Sequence, residues 1–333
     1  MHVVVVGATG NVGTALLRAL DNTPEITSVL GVARRIQSDA QSPAFDKVSW
    51  RSADISRDAL DFVAGADAVV HLAWLIQPSR DEQVMRATNV DGTARLVRAV
   101  VDNRVPSLVY ASSVGTYAPA PKSPPRPESW PATGIDTSTY SRHKAAVEAL
   151  LDATQQEHPQ LRVVRMRTSL VFQRAAASEV HRLFLGPLLP WHLPRPLRLV
   201  PGVSKLQFQA THARDIADSY VRALTRDVSG AFNIAAEPVL EPELIAEAVE
   251  GRALPFPEFA LRTLVRATYA MRLHPAEPGW LDMATKTPIM DTTRARTLLD
   301  WTETMSATDA LTELLDGIGD GAGFPTPALE PRS

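Results

Sequence analysis

A strand-like run, Met1-His2-Val3-Val4-Val5-Val6, passes directly into Gly7-Ala8-Thr9-Gly10-Asn11-Val12-Gly13 and then into a helical stretch over residues 14–20. Four successive valines are the mark of a strand buried on both faces, as in a parallel sheet. The glycines permit a tight turn and a close approach of backbone to a ligand. The helix that follows offers its unpaired N–H groups to a phosphate. Strand, glycine turn and helix in that order predict the first βα unit of an open α/β sheet with a dinucleotide site at its strand ends. The spacing is Gly-x-x-Gly-x-x-Gly rather than the commoner Gly-x-Gly-x-x-Gly.

Strand and helix patterns then alternate to about residue 166. Strands are expected near 2–6, 27–32, 47–52, 67–72, 106–112 and 161–166, and helices near 11–20, 56–64, 81–103 and 138–157. The alternation predicts an α/β fold, a doubly wound parallel sheet of Rossmann type with ligand at the carboxyl ends of its strands. The glycine turn, Asp54, Ala73, Ser113 and Thr168 all fall at expected strand ends, so they should converge on one cleft. Beyond residue 170, proline-rich loops and amphipathic helices predict a smaller C-terminal α/β domain that covers substrate. The expected division is 1–168, 169–317 (with segments such as 203–235 returning to the sheet) and a flexible tail over 318–333.

Composition narrows the function. The 333 residues are 45% hydrophobic and 21% charged, enough for a sizeable core. A net charge of −3 gives no footprint for a nucleic-acid partner. The absence of cysteine excludes disulfides, thiol nucleophiles and cysteine-ligated zinc, and the eight histidines show no metal-ligand spacing. No apolar run approaches the roughly 18–20 residues of a membrane span, and no basic region precedes the first valines as in a signal peptide. A cytoplasmic enzyme is expected.

A second feature carries chemistry. Tyr140 and Lys144 lie four residues apart in a chain with five tyrosines and only five lysines against 29 arginines. That spacing puts both side chains on one helix face. There an ammonium can hold down the pKa of a phenol and ready it for proton transfer.

With these two features in place, the chain resembles the extended branch of the short-chain dehydrogenase/reductase superfamily, the NAD(P)-dependent epimerases and dehydratases, over about residues 1–235. Further segments carry the resemblance in order. Ala53-Asp54-Ile55 looks like the strand end whose Asp meets the adenine amino group, and His71-Leu72-Ala73-Trp74 like the strand beside the cofactor. Asn89-Val90-Asp91-Gly92-Thr93 is similar to an Asn-Val-x-Gly-Thr helix motif. The run from Val109 through Ala111-Ser112-Ser113 to Tyr117 resembles the strand and loop that supply a catalytic Ser, with Ser113 the better match. Arg167-Thr168-Ser169 stands where the family usually reads Arg-Pro-Gly, and Thr211-His212-Ala213-Arg214-Asp215 resembles a later helix start. The resemblance implies Ser113, Tyr140 and Lys144 as catalytic residues. It implies cofactor contacts from Gly7, Thr9, Gly10, Asn11, Val12, Gly13, Asp54, Ile55, Leu72, Ala73, Trp74, Asn89, Ala111, Tyr140, Lys144, Arg167, Thr168 and Ser169. It also implies dimerisation through the helix carrying Tyr140.

Cofactor choice is expected at the end of the second strand, where NAD-preferring members tend to place a carboxylate. This chain has Ala33 there, followed by Arg34 and Arg35, which would attract a 2′-phosphate. NADP is therefore favoured, with NAD the alternative. Two stretches point to an apolar small-molecule substrate: the hydrophobic, proline-stiffened residues 183–191, and the loop over 118–136 with its six prolines. The leading expectation is hydride transfer between nicotinamide and a carbonyl or alcohol at a Ser/Tyr/Lys centre. A sugar-nucleotide epimerase or dehydratase is the alternative, and a non-catalytic dinucleotide sensor or scaffold the second.

Overall fold

Val3 and Val5 pack on one face of the first strand and Val4 and Val6 on the other, and all four are buried. A strand apolar on both faces needs helices on both sides, and the fold supplies them. The computed structural model describes residues 1–36, 45–76, 80–185, 198–273 and 275–331. The first half runs β1 (His2–Val6), α1 (Asn11–Asp21), β2 (Ser28–Ala33), β3 (Val48–Ser52), β4 (Ala68–His71), α2 (Glu82–Arg86), α3 (Thr93–Asp102), β5 (Ser107–Ser113), α4 (Thr139–Glu157) and β6 (Arg162–Thr168). The remainder runs β7 (Leu170–Phe172), α5 (Ala177–Val180), β8 (Leu199–Gly202), β9 (Ala210–His212), α6 (Ala213–Thr225), β10 (Gly230–Ile234), α7 (Pro242–Ala248), β11 (Arg252–Pro255), α8 (Glu258–Ala270), α9 (Gly279–Lys286) and α10 (Ala307–Gly319).

Seven of these strands form one sheet in the order β10-β6-β5-β4-β1-β2-β3. All its pairings are parallel. The direction of winding reverses between β1 and β4, which is where such sheets bind ligands. On one face Leu16, Leu17 and Leu20 of α1 pack with Ile216, Tyr220 and Ala223 of α6. On the other, Leu96 and Val100 of α3 pack with Val147 and Leu151 of α4. Each such side chain, fully buried, contributes about 1.5–3 kcal/mol of transfer free energy. β10 lies parallel to β6, so a late segment does return to the sheet, as expected. Two short parallel pairs, β7 with β9 and β8 with β11, lie outside it.

Three expectations need correction. Residues 56–64 form only a single 3₁₀ turn, Asp61–Val63. Asp54 Oδ1 accepts from Ser56 N at 2.9 Å, and Asp58 Oδ2 accepts from Asp54 N at 2.8 Å; these local side-chain bonds compete with a helix. The helix expected over 81–103 is interrupted by a π-helical segment, Ala87–Gly92, that carries Asn89. The tail expected to be flexible packs over residues 324–329 instead: Leu329 is fully buried and Thr326 nearly so, with Phe324 against Arg18 of α1 and Thr326 bonded to Thr9.

Candidate active site

The nucleotide end begins at Gly7, which has φ 94°, a region that favours glycine. A Cβ on Gly7 would come within 2.6 Å of Ala73 N, so the turn after β1 presses on the end of β4. Gly13 is equally constrained, since a Cβ there would meet Gly7 O at 2.5 Å. Helix α1 starts after Gly10 with no side-chain cap, leaving the N–H groups of its first turn to a phosphate. A cleft of about 310 Å³ opens at this point. Gly7, Thr9, Gly10, Arg34, Arg35, Asp54, Ile55, Leu72, Ala73 and Trp74 all line it. Arg34 and Arg35 are exposed at the end of β2. Burial raises the Asp54 pKa, but hydrogen bonds from Ser56 and the charges of Arg34 and Arg57 outweigh it and hold the carboxyl below its ordinary value.

The reactive end is built by β5 and α4. Ser138 caps α4 by accepting from Ser141 N at 3.3 Å, which starts the helix just before Tyr140. Ser113 ends β5, its Oγ accepts from Gly115 N at 3.1 Å, and it faces the Tyr140 phenol closely enough to lower its pKa. Lys144, one turn on and buried, donates to Ala111 O at 2.6 Å. Its ammonium also lies 3.6 Å from the centre of the Trp74 ring. Ser113, Tyr140 and Lys144 therefore come together, and β-sheet register places Thr168 directly beside Ser113.

One electrostatic expectation is reversed. Burial pushes the Tyr140 phenol up to about 12, with the Ser113 hydroxyl acting the other way. Lys144 does not hold it down. Burial keeps Lys144 itself well below the usual lysine range, against the pull of Glu148, and its Nζ stays 5.7 Å from the Tyr140 ring centre.

An aromatic row surrounds the phenol. Trp280 of α9 lies 4.9 Å from the Tyr140 ring, Trp74 meets it edge-on at 5.9 Å, and Phe184 meets Trp280 edge-on at 4.9 Å. Phe184 falls in the apolar stretch expected to cover the cleft; residues 186–191 of that stretch lie outside the described residues. Trp280 was not foreseen, since no periodicity or motif marks it. The proline-rich loop is anchored: Lys122 donates to Gln207 O, Ala284 O and Thr287 O at 2.7, 2.7 and 2.8 Å.

Several residues implied as cofactor contacts have side chains committed elsewhere. Asn89 accepts from Leu75 N at 2.7 Å and donates to Leu75 O at 2.8 Å, clamping the loop after β4. Arg167 points to the α4 face of β6, where its Nε and Nη2 reach Glu148 at 2.9 and 2.8 Å. Ser169 pairs with Thr211 at 2.7 Å. Asn11 donates to Val171 O at 2.9 Å, and Val12 packs against the core. Conversely, Glu179, Arg182 and Ala328, which no motif announced, line the cleft together with Leu183 of the apolar stretch expected to cover it.

A glycine-turn cleft at the switch point of a parallel sheet, adjoining a Ser/Tyr/Lys cluster, defines a dinucleotide-binding protein of the epimerase and dehydratase class. The chain belongs to the NAD dependent epimerase/dehydratase family, whose model matches residues 3–235. An uncharacterized protein of Mycobacterium tuberculosis is 28% identical over 300 residues, covering 89% of this chain and 27% of that protein. The chain thus spans about a quarter of the length of the curated relatives it matches first. A hybrid PKS-NRPS synthetase of Penicillium oxalicum is 28% identical over 123 residues, 34% of this chain and 3% of that protein. Among solved structures, MoeE5 in complex with UDP-glucuronic acid and NAD superposes with a TM-score of 0.70 at 21% identity, covering 96% of this chain and 99% of that one. UDP-glucuronic acid 4-epimerase from Bacillus cereus in complex with NAD gives 0.69 at 19% identity, covering 96% and 99%. Both share this fold. No helix among the described residues is long and apolar enough to cross a membrane.

Proposed function

We propose that the chain is a nicotinamide-dependent enzyme that moves a hydride to and from a carbon bearing a hydroxyl or carbonyl, in the manner of the epimerases and dehydratases. The observation that carries this is the meeting of Ser113, at the end of β5, with Tyr140 and, one helical turn on, Lys144, whose ammonium rests on the Trp74 ring that lines the cleft. A sensor that had shed its chemistry would have no need of that arrangement.

The residues fit a dinucleotide. Gly7 and Gly13, where a Cβ would strike backbone, let the turn close tightly against β4 and α1, and the uncapped start of α1 suits a phosphate. When bound, the nicotinamide supplies the hydride acceptor and donor. Arg34, Arg35 and Asp54 would hold the adenosine end. Lys144 would hold a ribose hydroxyl. Tyr140, a phenol protonated at neutral pH and more firmly so when buried, donates that proton to a carbonyl oxygen as the carbon is reduced; in the reverse direction it recovers the proton from the hydroxyl. Ser113 donates to the same oxygen and stabilises the charge that develops there. Thr168, beside Ser113 in the sheet, closes the site from β6.

The relatives in complex with UDP-sugars and NAD support a sugar-nucleotide substrate and a closed cycle, in which hydride is removed and returned without cofactor exchange. The aromatic row of Trp74, Trp280 and Phe184 is consistent with that reading, since the C–H face of a pyranose can stack on aromatic rings. It would equally receive an apolar ring. Arg34 and Arg35 support binding of a 2′-phosphate, hence NADP, although the relatives hold NAD. Denaturing the purified protein and identifying released nucleotide by chromatography separates these readings. Stoichiometric NAD supports the closed cycle and overturns the reading of Arg34. An empty site that takes up NADPH in preference to NADH supports an exchangeable cosubstrate. An empty site that takes up neither overturns the proposal.

A further inference from the structure

The segment after α10 travels back across the molecule to the glycine turn. The Arg18 guanidinium of α1 lies over the Phe324 ring, 4.5 Å from its centre. Two residues on, Thr326 Oγ1 donates to Thr9 O at 2.9 Å, in the middle of the turn between Gly7 and Gly10. Ala328 lines the cleft itself, and its carbonyl accepts from Arg182 Nη2 at 2.8 Å. The loop is closed on itself, with Phe324 N donating to Leu329 O at 2.7 Å and Leu329 N to Thr326 O at 3.0 Å. It is moored at its start as well, where Ser178 Oγ donates to Ala322 O at 2.7 Å.

These contacts make a compact loop with a buried base and one edge on the ligand site. The strand ends form one wall of the cleft; Glu179, Arg182, Leu183 and Ala328 form the other. The family match ends at residue 235, so Ala328 and the loop that carries it lie outside the segment that defines the family, while Glu179, Arg182 and Leu183 lie within it. Resting on the functional reading above, we infer that residues 322–329 are a strap over the phosphate-binding turn that retains the dinucleotide. Thr326 fastens the strap to the turn, Phe324 braces it on α1, and Ala328 bounds the ligand. A strap of this kind slows entry and exit together, because the ligand passes only while the loop is unfastened. Retention of that sort suits a closed redox cycle.

The test uses the full chain and NADH or NADPH, following nicotinamide fluorescence in stopped-flow binding and displacement. Thr326→Val removes the hydroxyl that holds Thr9 and keeps the side-chain shape; Phe324→Ala removes the brace. Each variant is expected to release the dinucleotide about fivefold faster or more, the factor set by one lost hydrogen bond, with association also faster. Release rates equal to wild type in both variants overturn the strap. So does a fall in the melting temperature of the ligand-free protein with unchanged release, which would mark a purely structural loop. If the wild-type protein binds neither dinucleotide, the functional reading fails and the strap fails with it; if it binds and both variants release at the wild-type rate, only the strap fails.

Discussion

The ammonium of Lys144 lies 3.6 Å from the centre of the Trp74 indole ring, which also lines the dinucleotide cleft. Trp74 thus stands between the cleft and the reactive end, shielding Lys144 from water as a cation–π partner. Its neighbour Leu75 is clamped by Asn89, so the shield is held by the π-helical segment between α2 and α3.

That shield sets the state of the lysine. Burial lowers the Lys144 pKa, so Trp74→Ala, which admits water, is expected to move it back up toward the ordinary lysine range. Trp74→Phe, which keeps an aromatic face there, should leave it low. NMR titration of protein labelled at the lysine ε-carbon checks this, and five lysines make assignment tractable. Equal titration of Lys144 in all three proteins would remove Trp74 from the account.

Arg34 and Arg35 stand exposed at the end of β2. Arg34→Ala is expected to weaken NADP(H) binding about tenfold, the scale of one lost charge-assisted hydrogen bond, and to change NAD(H) binding little. Calorimetric titration of both cofactors reads the ratio. A uniform loss for the two would mean that Arg34 contacts no 2′-phosphate.

The far wall carries a pH dependence. Burial raises Glu179 to about 7, against the pull of Arg182. An acid whose folded pKa exceeds its unfolded value binds more protons when folded, so stability falls as pH rises between the two values, here from about 4.5 to about 7. Glu179→Gln is expected to raise the melting temperature at pH 8 and to change it little at pH 4. The opposite pattern across a pH series of thermal melts would show the carboxylate to be stabilised where it sits.

Much of this architecture was legible from the chain, for identifiable reasons. Strands β1 to β6 fall within two residues of their expected limits, most plainly β1 and β4, whose burial on both faces writes a nearly unbroken apolar run. The glycine turn was legible because glycine alone fits where Gly7 and Gly13 lie. What escaped depends on contacts between distant segments. Trp280 and Ala328 reach the site from elements with no periodic signature near it, and the packing of Phe324 on Arg18 cannot be read from a stretch rich in glycine and proline. The direction of the Tyr140 pKa was missed for a different reason. The four-residue spacing places Lys144 on the right helix face, but its ammonium turns to the Ala111 carbonyl and the burial that lowers its own pKa raises that of the phenol.

The central claim is that Tyr140 moves the proton at a hydride-transfer site, and Tyr140→Phe tests it most directly. With cofactor binding matched by titration, wild type and variant are presented with UDP-glucose, UDP-glucuronic acid and a panel of cyclic alcohols and ketones, following epimer formation and absorbance at 340 nm. The account expects turnover by wild type, a loss of about 10²-fold or more in the variant, and dinucleotide affinity that is nearly unchanged. Turnover by Tyr140→Phe at the wild-type rate would contradict it.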